Sequence, residues 1–434
     1  MRVSTSTVFE QGVFNLTRAQ SQLIHTQEQI STGRRILNPS DDSVASTRAL
    51  EVSQAQAVNA QYVRNTDSAT AAIGLQEEAL SRYTSLLQDV KTSTVNAGNG
   101  ALSPRELKSI ASELRGRYDE LLGIANTTDA NGLFLFSGYQ GDTQPFTQDT
   151  PGNVAYNGDE DQRQIQIAPT RLVPVSFSGL QIFQKIPEGN ATFVTAAAST
   201  NTGTGIVSPG TVRNATAWND PANPGDFEIR FHVDDTNVPP VTTYDIVDTT
   251  ADVSLLTGAA ATTGPYPRTY QSGANITLAT QSPPDTNPTP FDYGVDMTVN
   301  GSPADGDVFT LRKSESKDIF KTLDELITTL ETTGSGATQN TRLANALNTA
   351  QSNLDNALDG ALTVRAAIGS YSQEIDRSRS AGDDLDLQFS QTLSQLTNLD
   401  FAKAISDLTF QQVSLEAAQK SFTKVQGLTL FDYL

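Results

Sequence analysis

The sequence predicts an α+β protein whose two ends form long antiparallel α-helical coiled-coil arms, with a mainly-β outer domain inserted between them. Three observations predict it. Of 19 prolines, three (Pro39, Pro104, Pro145) precede residue 146, and the remaining 16 fall between Pro151 and Pro303. Proline inside a helix removes a backbone hydrogen bond and clashes with the preceding turn, so both ends can be helical and the middle cannot. Apolar residues at both ends recur at alternating spacings of three and four. In the middle they alternate every second residue, the period of a strand.

The first arm opens with a heptad, Phe9, Leu16, Leu23, Ile30 and Leu37, with Val13, Gln20 and Gln27 on the alternate seam positions. Gly33 and Asn38-Pro39-Ser40-Asp41-Asp42 end this helix, and Ser40 or Asp41 is the expected N-cap of the next. That helix runs to about Asn96, its seam clearest at Ile73, Leu80 and Leu87 with Tyr83 and Val90 between them. At 1.5 Å per residue it is a rod of roughly 80 Å, which needs partners along its length. After Gly98-Asn99-Gly100, Ser103-Pro104-Arg105-Glu106 is a capping box with proline at the first helical position, opening a helix to about Ala125.

The last arm repeats the pattern. Leu343, Leu347, Ala350, Leu354, Ala357, Ala361, Val364, Ile368, Tyr371 and Ile375 keep the alternation without a miss. Near Asp400 the phase changes, and Phe401, Leu408, Leu415 and Phe422 begin a new heptad with Ala404, Gln411, Ala418 and Val425. Five segments follow: 1–40 and 400–434 as terminal polymerisation helices, 41–140 and 311–399 as helical rods, and 141–310 as the β-rich outer domain. Within the last, Gln164–Ile167, Val173–Phe177 and Phe227–Val233 read as strands. Asn300-Gly301 reads as a hairpin turn between Met297–Val299 and a return strand Val308–Leu311, and Ala196–Gly210 as an exposed low-complexity loop.

Composition excludes several functions. The net charge is −20, and residues 146–310 alone carry 18 Asp and Glu against 6 Lys and Arg, which argues against nucleic acid and against an anionic membrane surface. The absence of cysteine removes disulfides, thiolate metal sites and cysteine nucleophiles. His25 and His232 fall in different parts of the chain and make a poor metal site, and Asp159-Glu160-Asp161 lacks calcium-loop spacing and reads as a solvated turn. No nucleophile elbow, phosphate loop or zinc-helix motif occurs, so enzyme is the least supported class, and no cofactor is expected. No segment has the apolar core of a secretory signal or the length to span a bilayer. That fits a cytosolic protein, or one exported by a route that cleaves no signal.

Several segments together resemble a family, the bacterial flagellin-like axial proteins. Gln29–Ile36 followed by Pro39-Ser40-Asp41-Asp42 is similar to its N-terminal signature, and Arg365-Ala366-Ala367-Ile368-Gly369 to its counterpart in the C-terminal rod. Leu133–Tyr139, Gln144-Pro145-Phe146 and the tail Asp407–Gln411, Leu415–Gln419 and Leu428–Leu434 resemble the hook-associated members more closely than filament flagellin. The resemblance implies a structural part of the extracellular flagellum, joining hook to filament. It also implies export through the flagellar type III channel without cleavage. The implied partners are further copies of the chain in a helical assembly, a hook-side junction protein, flagellin and a cytoplasmic export chaperone. Filament-forming flagellin is the alternative, and an acidic surface-binding module a third. The residues expected at the subunit interface are Phe9, Leu16, Leu23, Ile30, Leu37, Phe401, Leu408, Leu415, Phe422 and Val425. Glutamines on the seam make the terminal segments marginal alone, so they are expected to be disordered in the free subunit and to fold on assembly.

Overall fold

The computed structural model describes residues 5–150, 152–261 and 264–427. The helices in chain order are α1 (Thr5–Thr32), α2 (Ser43–Ala97), α3 (Pro104–Ala125), the single turn α4 (Ala215–Trp218), α5 (Ile319–Thr332), α6 (Ala337–Thr397) and α7 (Phe401–Gly427). They contribute to two compact units, one of residues 1–67, 166–171 and 375–434, the other of residues 68–165 and 172–374.

In the first unit the start of α2 and the end of α6 lie antiparallel. Gln56 donates to Asp386 and Ser390, Asn59 donates to the Gly382 carbonyl at 2.7 Å, and Arg379 pairs with Asp67 at 3.0 Å. The partner's number falls as the residue number rises, as antiparallel packing requires. Glycine at 382 permits the approach, since a Cβ there would sit 2.8 Å from a Val63 methyl. The tip of a hairpin, β3 (Gln164–Ala168) with β4 (Arg171–Pro174), joins this unit. Its Gln166 and Ile167 carbonyls accept from Asn65 and Ser378.

In the second unit the rest of the two long helices keeps the same antiparallel sense, with Glu77 accepting twice from Arg365 and Lys91 pairing with Asp355. Ser103 and Glu106 close the capping box of α3. The buried stripe of α3 (Leu107, Ala111, Leu114, Tyr118, Leu121) lies on that of α5 (Ile319, Phe320, Leu323, Leu326, Ile327). Phe183 is the centre of an aromatic cluster, with Tyr83 at 4.8 Å, Phe136 and Phe146 at 5.3 Å and Phe320 at 6.3 Å between ring centroids. Beside it, β1 (Phe146–Thr150) and β2 (Asn153–Tyr156) form a hairpin.

The Leu133–Tyr139 segment lines this cluster as turns rather than as a strand. Gln76, buried on α2, donates to the Leu135 and Val175 carbonyls, and the Tyr156 hydroxyl donates to Phe136. Gly138 is left-handed (φ +70°), with the Asp159 backbone 2.8 Å from where a Cβ would stand. The Asp159 carboxylate accepts from the Tyr139 and Asp161 amides. The acidic triplet is thus a turn, and its first member is the seat of the Phe-Ser-Gly-Tyr segment.

The outer part of this unit is built from two sheets on one core. The six-stranded sheet has β11 (Val253–Ser254), β10 (Val241–Asp248), β9 (Asp226–Asp234), β15 (Val308–Lys313) and β6 (Phe193–Ala197) in that order, with β12 (Arg268–Thr269) also beside β10. The four-stranded sheet has β13 (Asn275–Ala279), β14 (Asp292–Asn300) and β7 (Ile206–Val207), with β8 (Thr211–Val212) also on β14. A last short pair is β5 (Ile186–Pro187) with β16 (Ser316–Lys317). The alternation of β9 buries Phe227, Ile229 and Phe231, which meet Trp218, Met297, Val299 and Phe309 in the core. Arg268 is buried there against Asp285 (3.0 and 2.6 Å) and donates to the Thr277 carbonyl, so both charges are satisfied.

Four expectations are corrected. Asn300-Gly301 is a turn, with Gly301 at φ +96°, but not a hairpin. Val299 and Asn300 already pair with Val207 and Ile206, so the strand after the turn crosses to the other sheet and lies between β9 and β6. Residues 196–210 are not an exposed loop. Asn201 is buried and exchanges hydrogen bonds with the Val308 backbone, and Val207 belongs to the core. The N-cap of α2 is Asp42, which accepts from the Ala45 amide at 2.9 Å, because Asp41 is occupied by the Leu37 and Asn38 amides. The Val173–Phe177 strand stops at Pro174, although the Val175 amide still donates to the Arg163 carbonyl just beyond it.

Asp318, the N-cap of α5, accepts from the Phe320 amide and from Gln184, and burial pushes its carboxyl up to about 6. The folded chain therefore holds this proton where the unfolded chain has lost it, and stability falls as pH rises from about 4 to about 6. Asp318→Asn, which keeps the cap oxygen, is expected to stabilise the chain at pH 7.5 by about 1–2 kcal/mol relative to pH 4, measured by urea unfolding. Equal effects at both pH values would refute the burial account. Gly138→Ala is expected to cost about 3 kcal/mol in the same assay, from left-handed strain and the collision with Asp159.

Candidate assembly site at the terminal helix pair

α1 and α7 pack antiparallel. At one end the Phe9 and Phe422 rings lie 5.4 Å apart, and Phe422 fills a notch at Gly12, where a Cβ would stand 2.6 Å from the ring. At the other end the Phe401 ring lies over Gly33. Between them Leu16, Leu23 and Ile30 on α1, and Leu408 and Leu415 on α7, are half-buried. Leu37, in the turn after α1, is half-buried too, and Ala404 is buried. Phe9 remains 47% exposed and Phe401 50%, so the pair covers only part of its own apolar surface. The side chain of Val425 and the segment 428–434 lie outside the described residues.

The turns that follow α1 and α6 are locked to each other. Gly33 (φ +68°) reverses the chain, the Arg35 amide donates to the Thr397 carbonyl at 2.8 Å, and the Leu399 amide donates back to Gly33 at 3.0 Å. The Arg35 guanidinium donates to the Leu396 carbonyl and pairs with Asp42. Backbone amides first, then the Arg35 guanidinium, hold the Asp42 carboxyl below the usual carboxylate range. Asp41 is lowered by the Asn38 and Leu37 amides and lies 3.2 Å from His25. Arg35, Asp41 and Asp42 all serve this clasp, and Arg34 forms a backbone bridge with Asn398.

Heptad reasoning missed the apolar residues that lie off the seam on each helix. Phe14 (61% exposed) and Ile24 on α1, and Ile405, Phe410 (74%) and Val413 on α7, are apolar and open to solvent. A scan for one stripe scores only the seam, yet large apolar residues off the stripe were the available signal. On α7 the seam glutamine Gln411 has a buried amide oxygen with no partner among the described residues. Nothing in this arrangement resembles catalytic geometry. Among the described residues no group of three or more His, Asp or Glu is placed to hold a metal ion, and no helix is long and apolar enough to cross a membrane.

Comparison with known proteins places this architecture. Residues 3–141 match the family described as the bacterial flagellin N-terminal helical region, and residues 192–313 the D3 domain of flagellar hook-associated protein 1. Flagellar hook-associated protein 3 of Salmonella typhimurium is 27% identical over 432 residues, 99% of each chain. Crystallised FlgL of Xanthomonas campestris is 30% identical with a TM-score of 0.66, over 79% of this chain and 99% of that one. The flagellar junction protein FlgL of Legionella pneumophila is 26% identical with a TM-score of 0.68, over 81% and 100%. Salmonella flagellins match over 123 residues, 28% of this chain. A likeness that runs through the inserted domain as well as the arms separates the junction proteins from filament flagellin, and the chain belongs to the flagellar hook-associated protein 3 family of structural flagellar proteins.

Proposed function

We propose that this chain joins hook to filament by polymerising through α1 and α7, and that its role is mechanical rather than enzymatic. The observation that carries this is the set of large apolar side chains that the terminal pair leaves in solvent on the sides away from its own seam. Five large apolar side chains (Phe14, Ile24, Ile405, Phe410, Val413) stand in solvent on helices that already share a seam. Exposed apolar surface of this kind marks an interface. The unpartnered Gln411 oxygen supplies a polar register point, which a helical polymer needs. In this reading 1–40 and 400–434 are the polymerising segments and 41–140 and 311–399 the rods. Residues 141–310 form the outer domain. The seam residues from Phe9 to Phe422 consolidate between subunits as well as within one, and Val425 joins the seam between subunits.

The same reading places the chain outside the cell, between a hook-side junction protein and flagellin, after type III export without cleavage. A cytoplasmic chaperone holds the α7 region until export. That gives the net charge of −20 a purpose, since it keeps the free subunit from associating prematurely.

In a strain lacking the chain, Phe14→Glu with Phe410→Glu is expected to be exported normally but to leave bare hooks and unpolymerised flagellin in the medium. As surface changes the two should move stability by no more than about 0.5 kcal/mol each. Normal filaments would rule out the α1–α7 face as the joint. A purified chain growing long filaments unaided would point to a flagellin role instead. Because the pair leaves its own seam half open, α1 and α7 are expected to be digested first when a dilute monomer meets protease, and to be protected in the assembly. Termini resistant in the monomer would contradict folding on assembly.

A further inference from the structure

The pair Asn-Gly occurs four times, at Asn99, Asn131, Asn157 and Asn300. In this pair the peptide nitrogen after the asparagine attacks the asparagine's own side-chain carbonyl carbon most readily, because glycine has no Cβ to shield that nitrogen or restrict the backbone. Ring closure needs a nitrogen whose N–H is not held, a side chain free to swing over it, and a backbone not fixed as helix or strand. The four pairs are alike in sequence and differ in their surroundings.

Three are restrained. The Gly301 amide donates to the Ser272 hydroxyl at 2.8 Å, and Asn300 is fixed in the β14 ladder opposite Ile206. The Gly132 amide donates to the Asp129 carbonyl at 3.1 Å, and the Asn131 amide donates to the carboxylate of the same residue at 2.8 Å. Asn157 is anchored through its side-chain amide to Thr147 at 2.9 Å, and a Cβ on Gly158 would stand 2.5 Å from the Tyr156 hydroxyl.

Asn99 is the exception. It and Gly100 lie exposed in the connector between α2 and α3, and no atom comes within 4 Å of where a Gly100 Cβ would stand. Among the described residues the Gly100 amide donates no hydrogen bond, and neither does the Asn99 side-chain nitrogen. The Asn99 side-chain oxygen accepts from the Ala101 amide at 3.2 Å. That bond favours attack, since it draws electron density from the carbon to be attacked and stabilises the oxyanion that attack creates.

We propose that Asn99 is a site of self-modification, converted to aspartate and isoaspartate through attack by the Gly100 nitrogen. That nitrogen loses its proton to hydroxide and bonds to the side-chain carbon, the bond from this carbon to the side-chain nitrogen breaks, and ammonia leaves a succinimide behind. Water then opens the ring at either carbonyl, giving aspartate or isoaspartate. One water is consumed and one ammonia released, with no oxidant, reductant or cofactor. Each product adds a negative charge just past the end of α2, where the helix's own carbonyl pole is already negative. Isoaspartate also lengthens the backbone by one carbon before the Ser103 cap of α3.

The test incubates the full-length folded chain at mildly alkaline pH and follows the four peptides by mass spectrometry, with isoaspartyl methyltransferase labelling to distinguish the products. Asn99 is expected to gain about one dalton at least about tenfold faster than the other three. The rate should rise with pH, and isoaspartate should accompany aspartate. In concentrated urea the four rates should converge, since the fold is what separates them. Gly100→Ala, for which there is room, should slow the reaction at Asn99 at least about fivefold with the far-UV spectrum unchanged. Another pair reacting as fast as Asn99 in the folded chain would overturn the proposal, as would an Asn99 advantage undiminished in urea. Aspartate as the sole product, or an unchanged rate in Gly100→Ala, would show direct hydrolysis and overturn it equally.

Discussion

Antiparallel alignment of two helices drawn from opposite ends of the chain is the constraint on which the remaining structure hangs. Gln56 with Asp386 and Asn59 with Gly382 in one unit, and Glu77 with Arg365 and Lys91 with Asp355 in the other, keep α2 in register with α6. Individually such surface pairs contribute little. Their value is in register, because a slip of one helical position would remove all of them at once and turn the apolar stripes off their partners. The buried seams, Ile73, Leu80, Leu87 and Val90 on α2 and Leu343, Leu347, Leu354 and Ala361 on α6, supply the larger hydrophobic share.

The clasp between the turns at Gly33 and Leu399 does for the terminal pair what those side chains do for the rods. It is made mainly of backbone bonds reinforced by Arg35, so it fixes direction without demanding a large core. A segment whose apolar faces are left partly open needs such a device. It must hold a geometry while withholding much of the burial that would otherwise stabilise it.

Sequence periodicity revealed α1, α2, α3, α6 and α7 to within a few residues, whereas α5 (Ile319–Thr332) was not singled out within the 311–399 rod. The break at Gly98, the capping box at Ser103 and the phase change near Asp400 each mark a real boundary, since helix signals are local and repeat over many turns. The β domain was less legible because strand partners are chosen at long range. Asn300-Gly301 has hairpin chemistry, yet β7 already occupied the ladder beside it, and no local pattern records that. The Ala196–Gly210 stretch looked featureless because its order comes from Asn201, Asn345 and Asp307 bonding to backbone, not from apolar alternation. At the candidate site the seam was visible, whereas the outward-facing aromatics fell outside any stripe the heptad defines. The role of Asp42 over Asp41 depended on which amides each carboxylate could reach.

One pairing has consequences for how such chains diversify. β6 and β15 are neighbours, with Phe193 opposite Lys313, and just outside them β5 pairs with β16. The chain therefore enters and leaves the two-sheet domain through adjacent strands, like a plug in a socket. A module attached this way can be enlarged, exchanged or deleted with the helices on either side undisturbed, provided the two strands at the doorway remain paired. The same doorway marks where a foreign domain could be grafted.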